Sequence, residues 1–91
     1  TANRSANTQP VGLQLDVRGS RADDVVPQVD RYISDAFMGG MPWVRIIHGK
    51  GTGVLRQIIR QHLTGNPMIR QVEPASPSDG GEGATIVHLN N

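Results

Sequence analysis

Twice along this chain the spacing of apolar residues changes from every second position to every third or fourth, and each change occurs at glycine. The first run, Leu13-Gln14-Leu15-Asp16-Val17-Arg18, alternates: Leu13, Leu15 and Val17 share one face of a strand, and Gln14, Asp16 and Arg18 share the other. After Gly19, the residues Ala22, Val25, Val26, Val29, Ile33 and Phe37 recur at helical spacing, which predicts a helix over Arg21 to Met38. Ser20 and Asp23 stand as a capping box at its start. Pro27 either kinks this helix or moves its regular part to begin near Asp24, because proline beyond the first turn lacks a donor and clashes. Gly39-Gly40 stops it. Trp43 to His48 reads as a second strand with apolar residues on both faces, as a central parallel strand has. A second helix follows Gly53, with Val54, Leu55, Ile58, Ile59 and Leu63 as its core stripe, and Gly65-Asn66-Pro67 ends it.

Met68 to Glu73 is a third strand, Ala75 to Gly83 a Pro/Ser/Gly loop, and Ala84 to Leu89 a fourth strand. The order strand, helix, strand, helix, strand implies two right-handed parallel crossovers. The last connection is too short for a helix, so the fourth strand returns antiparallel to the third. The expected fold is α/β, an α+β two-layer sandwich of order βαβαββ with a four-stranded mixed sheet and two helices. Residues 1–12 are polar and read as a disordered leader or linker; residues 13–91 form the single folded domain. The chain has no cysteine, which excludes disulfides and thiolate metal sites. No apolar run is long enough to cross a bilayer and none resembles a signal peptide, so a cytoplasmic location is the expectation and a membrane partner is not.

The net charge is only +1, but its distribution is uneven. No Asp or Glu lies between Ala36 and Val72, where Arg45, Lys50, Arg56, Arg60 and Arg70 fall, while five of the eight acids lie between Asp16 and Asp35. A basic tract of this kind concentrates polyanions. In open parallel sheets ligands bind beyond the carboxyl ends of the strands. Here those ends carry Asp16-Val17-Arg18-Gly19 and His48-Gly49-Lys50-Gly51-Thr52-Gly53, side by side if the strands are neighbours. Three alternating glycines opening onto a helix offer free N–H groups to an anion, and Lys50 adds a mobile full charge. Thr52 is placed to cap the helix or to donate to a phosphate oxygen. The spacing is neither that of a nucleoside-triphosphate loop nor that of the dinucleotide fingerprint, so the chain carries no ATP site. His48 is the loop residue able to act as acid or base near neutrality. Asp16 has three roles open to it: orienting His48, holding a metal, or pairing with Arg18. Arg18 suits phosphate or transition-state charge through its planar fork of donors. With Asp16 the one well-placed carboxylate, a resident metal has little to hold it. Arg56 and Arg60, one turn apart on the second helix, extend the basic track, and Trp43 could stack a base or close the edge of the core.

These residues resemble the Smr (small MutS-related) domain over nearly all of Leu13 to Leu89. Leu15-Asp16-Val17-Arg18-Gly19 looks like its leading motif, usually Leu-Asp-x-His-Gly; His48 to Gly53 looks like its glycine-rich motif, and Gly80-Gly81-Glu82-Gly83-Ala84-Thr85 like its closing one. Arg18 in place of the common His is typical of the Smr domain that ends the second type of bacterial MutS protein. The resemblance implies a fold similar to the C-terminal domain of bacterial translation initiation factor three. It implies an endonuclease domain nicking branched or double-stranded DNA, downstream of an ATPase dimer that suppresses homologous recombination. The other implied role is a binding module for RNA or collided ribosomes. Asp16, Arg18 and His48 match the positions that would carry catalysis; Arg18, Lys50, Gly51, Thr52, Gly53, Arg56 and Arg60 are the expected nucleic-acid contacts. Mn²⁺ or Mg²⁺ is the cofactor that cleavage would call on, and ATP would bind only upstream. With Arg18 replacing a histidine, cleavage rests on His48 alone as base, with Arg18 and Lys50 stabilising charge.

Overall fold

The computed structural model describes residues 12–91, and the leader expected over residues 1–12 falls, but for Gly12, outside them. The elements are β1 (Gln14–Asp16), α1 (Ala22–Met38), β2 (Trp43–Ile47), α2 (Val54–Leu63), β3 (Ile69–Pro74) and β4 (Ala84–Leu89). Two short 3₁₀ turns, Pro77–Asp79 and Gly81–Gly83, occupy the connection before β4. The sheet runs β1-β2-β4-β3. β1 and β2 pair in parallel, and β4 is antiparallel to both of its neighbours, β2 and β3. The four-stranded mixed sheet with two helices is thus the expected one, with the last strand lying between the second and the third.

Both helices cover one face of this sheet. Val44 and Ile46 of β2 and Val87 and Leu89 of β4 point into that layer, where they meet Val25, Val29, Ile33 and Ala36 of α1 and Ile59 and Leu63 of α2. All are buried. Burying each larger aliphatic side chain contributes about 1.5–3 kcal/mol against the ordering entropy of the chain. Tyr32 closes one side of the core and donates its hydroxyl to the Gly12 carbonyl at 2.6 Å. Burial pushes its phenol up to about 12. The other face of the sheet, presenting Gln14, Asp16, Trp43, Arg45, Ile47, Ile86 and His88, has no layer upon it among the described residues.

Two local expectations are corrected, and of the alternatives open at Pro27 a helix starting near Asp24 is not the one adopted. The Ser20–Asp23 capping box does not form: Arg21 is the N-cap, no side chain caps the helix, and Ser20 Oγ instead accepts from Gln28 Nε2 at 3.3 Å. Leu13 precedes β1 and is 57% exposed, beside Trp43 and Ile86 on the other face, and Val54, in the first turn of α2, is 51% exposed, bordering the loop that leads into it. Pro27 stands inside α1, past its first turn and on the exposed side, where the hydrogen bond it lacks is one that water can replace.

Candidate nucleic-acid interface

The parallel pairing of β1 with β2 aligns Asp16 with Ile47 and puts both strand ends at one edge of the sheet. Val17 N–H donates to the Ile47 carbonyl at 2.8 Å, and Ser20 N–H to the Val17 carbonyl at 3.0 Å, so the chain turns sharply just after the pairing ends. Arg18 leaves that turn on the open face. Its Nε donates to Asp16 Oδ1 and Oδ2 at 3.0 and 3.2 Å, its Nη2 to Oδ2 at 2.7 Å, and its backbone N–H to Oδ1 at 3.0 Å. Of the three roles open to Asp16, the structure displays the pairing with Arg18. The Arg18 side chain, then its backbone N–H, hold the Asp16 carboxyl down at about 2. Such a carboxylate is a weak base at neutral pH.

The second strand end comes against the first through glycine. Gly49 has φ +81°, and a Cβ there would lie 3.5 Å from Arg18 Cγ, so the Arg18 stem rests directly on the loop backbone. Gly83 does the same from β4's side, where a Cβ would lie 3.5 Å from Lys50 Cγ. The Gly83 carbonyl accepts from both His48 N–H (3.0 Å) and Gly49 N–H (2.9 Å), locking the start of the loop. The next four amides, Lys50 to Gly53, donate to no protein acceptor among the described residues. Thr52 Oγ1 accepts weakly from Val54 N–H at 3.4 Å in the first turn of α2. These free donors and the helix start that follows are an anion-binding arrangement.

Two connected hollows result. A cleft of about 560 Å³ on the open face is lined by Arg18, Arg45, Lys50, Gln14, Asp79 and the backbone of Gly80 and Gly83. A smaller one of about 180 Å³ lies along His48 to Arg56, with Gly49 and Lys50 forming the ridge between the two. Arg18 and Lys50 therefore face one cleft. Arg56 lines the smaller hollow and pairs with Glu82 at 3.6 Å, and Arg60 lines neither. Arg60 Nε is buried without a partner, so this residue sits deeper against the fold than a solvated track would place it.

His48 is not brought to Asp16. It continues the parity of Val44 and Ile46, so its ring turns to the helix side of the sheet and is 5% exposed. Nδ1 donates to the Gly49 carbonyl at 2.9 Å, which fixes the neutral tautomer; Nε2 then accepts from the Thr85 hydroxyl at 2.8 Å. Burial, and after it the charges of Arg56 and Arg60, press its pKa below the ordinary value, against the opposing pull of the Gly49 carbonyl. The register that pairs Asp16 with Ile47 places His48 one residue further on and so on the opposite face. Asp79 is the site residue that sequence reasoning passed over, and Arg45 and Thr85, counted in the basic tract and the closing motif, were given no role there.

The cleft's carboxylates do not make a metal centre. Asp16 is engaged by Arg18 and Asp79 lies 3.9 Å from Arg45, and among the described residues no group of three or more His, Asp or Glu gathers to hold an ion. No described helix is long and apolar enough to cross a membrane.

Fold and cleft together define an Smr domain, and the chain belongs to that family, whose model matches residues 15–90. Among curated proteins it is similar to Endonuclease MutS2 of Caldicellulosiruptor saccharolyticus (43% identity over 98% of the chain), and to the proteins of that name from Enterococcus faecalis (45% over 96%) and Lactiplantibacillus plantarum (46% over 94%). It spans 11% of the length of each. Among crystal structures it is similar to the Smr domain of Thermus thermophilus MutS2, with TM-score 0.84 and 35% identity over 88% of this chain and 100% of that one. It is also similar to YdaL, a stand-alone small MutS-related protein from Escherichia coli, with TM-score 0.84 and 26% identity over 94% and 70%.

Proposed function

We propose that this domain holds nucleic acid by its phosphate backbone in the Arg18–Lys50 cleft, with little sequence preference, as one part of a longer MutS-type ATPase. One observation carries the reading: two cations from different strand ends face a single cleft beside a row of amides with no protein acceptor among the described residues. Cations and backbone N–H groups read charge and not base identity, which is why sequence preference is weak. The suppression of homologous recombination belongs to the parent ATPase in this reading, and DNA is the leading target.

Nicking is the further part of the proposal, and it is supported by the name Endonuclease MutS2 that relatives bear. Cleavage would be in-line attack of water on phosphorus: the new P–O bond forms as the bond to one sugar oxygen breaks, and that oxygen leaves as an alcohol by taking a proton from solvent. The Arg18 fork and Lys50 would stabilise the charge on the phosphoryl oxygens, and Mn²⁺ or Mg²⁺, if used, would arrive with the substrate. His48 would take the water's proton, which requires Nε2 to part from Thr85 and the ring to leave the helix side of the sheet for the cleft. That requirement, with Asp16 committed to Arg18, favours a second reading in which the domain is a non-catalytic module delivering the ATPase to branched DNA or to collided ribosomes.

Plasmid nicking with and without Mn²⁺ or Mg²⁺, comparing the wild type with His48→Ala, Asp16→Ala and Arg18→Ala, separates the two. Nicking by the wild type that is lost in His48→Ala supports the enzyme; DNA binding by the wild type with cleavage by none leaves the module, in which Arg18→Ala still binds more weakly. Lys50→Ala tests the grip itself: affinity falls for every sequence and the salt dependence of log K flattens by about one unit. Unchanged affinity of Lys50→Ala at low salt would remove the cleft from the reading.

A further inference from the structure

The open face of the sheet continues past the cleft into a different surface. Trp43, the first residue of β2, is 40% exposed there and stands directly across from His88 on β4. With Leu13, Arg45, Asp79 and Ile86 these two residues line a hollow of about 400 Å³, within the roughly 300–1,000 Å³ of small-ligand sites. Arg45 and Asp79 line this hollow and the basic cleft alike, so the two are one continuous surface. Arg45 is spread between Gln14 Oε1 at 2.5 Å and the Asp79 carbonyl at 3.1 Å, and its Nε is left buried without a partner.

The chemistry of the two halves differs. The cleft offers Arg18 and Lys50, with the amides of Gly51 to Gly53 just beyond the Lys50 ridge; the hollow offers an indole, two aliphatic side chains and an imidazole held by the Glu73 carboxylate. The Glu73 carboxylate, paired with His88, repels phosphate there, while Asp79 is shared with the cleft and lies 3.9 Å from Arg45. What suits the hollow is planar, uncharged and apolar on its faces while attached to a phosphate backbone. We propose that the Trp43 hollow seats an unpaired nucleobase, stacked on the indole, from the same strand whose phosphates occupy the Arg18–Lys50 cleft. This rests on the backbone-binding reading above and narrows its ligand to nucleic acid with an unpaired segment, because a base inside a duplex has no free face. Trp43 lies four residues before the cleft's Ile47, about 13 Å along the strand, a span of only a few nucleotides. Base–aromatic stacking is indifferent to base identity, so a phosphate grip and a stacking platform together recognise strand state and not sequence.

Trp43 is the chain's single tryptophan, so its fluorescence reports on the hollow directly. The 91-residue chain is titrated at fixed salt with a 12-mer oligothymidylate, an abasic deoxyribose-phosphate 12-mer and a blunt duplex of equal length, with oligouridylate as the RNA arm. Oligothymidylate is expected to quench Trp43 and to bind roughly 5- to 150-fold more tightly than the abasic strand. Trp43→Ala should erase that difference, and Trp43→Phe should keep most of it. Equal quenching by oligouridylate extends the ligand to RNA, and weaker quenching assigns the hollow to DNA. Equal affinity for the thymidylate and abasic strands, or no quenching by any oligonucleotide, overturns the proposal while leaving the phosphate cleft standing. If none of these polyanions binds in a salt-dependent way, the backbone reading falls as well. A blue shift that grows with protein concentration alone would give the face to a second copy of the chain and overturn the proposal too. The wild-type arms decide the matter even if a Trp43 variant folds poorly.

Discussion

Replacing Thr85 by valine tests whether His48 is a structural or a chemical residue. The exchange conserves the shape of a fully buried side chain, so no cavity opens and the change is confined to one hydrogen bond. Because Nδ1–H is committed to the Gly49 carbonyl, Nε2 cannot become a donor in the neutral ring and is left as a buried acceptor without a partner. That loss costs about 1–3 kcal/mol. In a domain of this size each kcal/mol moves Tm by about 4–8 °C, so Tm should fall by at least about 4 °C. Urea unfolding at pH 8, followed by Trp43 fluorescence, measures it. Adding His48→Phe removes the stranded acceptor and should recover part of the loss, as a double-mutant cycle would register. The pH arm has a defined sign. The folded pKa of His48 lies below the unfolded value of about 6.5, so the unfolded chain binds more protons between the two. The stability of neutral burial is present in full above about pH 6.5 and declines as pH falls toward the folded pKa. The wild type should therefore lose more stability than His48→Phe between pH 8 and pH 5.5. Thr85→Val with unaltered stability at pH 8 would refute the reasoning, and would mean that the ring is free to work in the smaller hollow.

Asp16→Asn removes a negative charge from the cleft and loosens the hold on Arg18, so affinity for a phosphate backbone should rise severalfold at low salt; fluorescence anisotropy with labelled DNA checks it, and weaker binding would show that the pair is needed to aim Arg18. With its carboxyl at about 2, Asp16 stays ionised throughout pH 5–8, and its stabilising effect is lost only as pH falls from about 3.8 toward 2. Gly49→Ala forces a left-handed backbone on alanine and sets a methyl 3.5 Å from Arg18 Cγ, so stability should drop by about 1–2 kcal/mol and DNA affinity should fall with it; urea unfolding and anisotropy read the two.

The order of elements was legible because periodicity and glycine placement agreed: β4 runs from Ala84 to Leu89, bounded by the Pro/Ser/Gly loop before it, and both glycine-rich segments stand at strand ends. Helix α1 was legible in extent, but not the absence of its side-chain cap, since a capping box depends on backbone entry angle and Ser20 is drawn to Gln28 instead. For the site, sequence reasoning placed Arg18 and Lys50 together correctly because parallel neighbours must end at the same edge. It did not separate His48 from Asp16, because adjacency in a motif says nothing of the face. The register Asp16–Ile47 decides that, and it puts His48 one residue further on, with the opposite orientation. Arg45 and Asp79 were invisible as partners because they meet only through tertiary structure, a strand residue and a turn far apart in the chain.

The position of β4 has a bearing on how such a domain comes into being. The final described strand fills a gap between β2 and β3, so while it is missing these two have no common neighbour, and the Gly83 carbonyl that secures the start of the loop has yet to arrive. During synthesis the earlier segments can form helices but not a finished sheet. If the cleft binds polyanions as proposed, that affinity should appear only once Ala84 to Leu89 have taken their place between β2 and β3, and a fragment lacking them should leave nucleic acid alone.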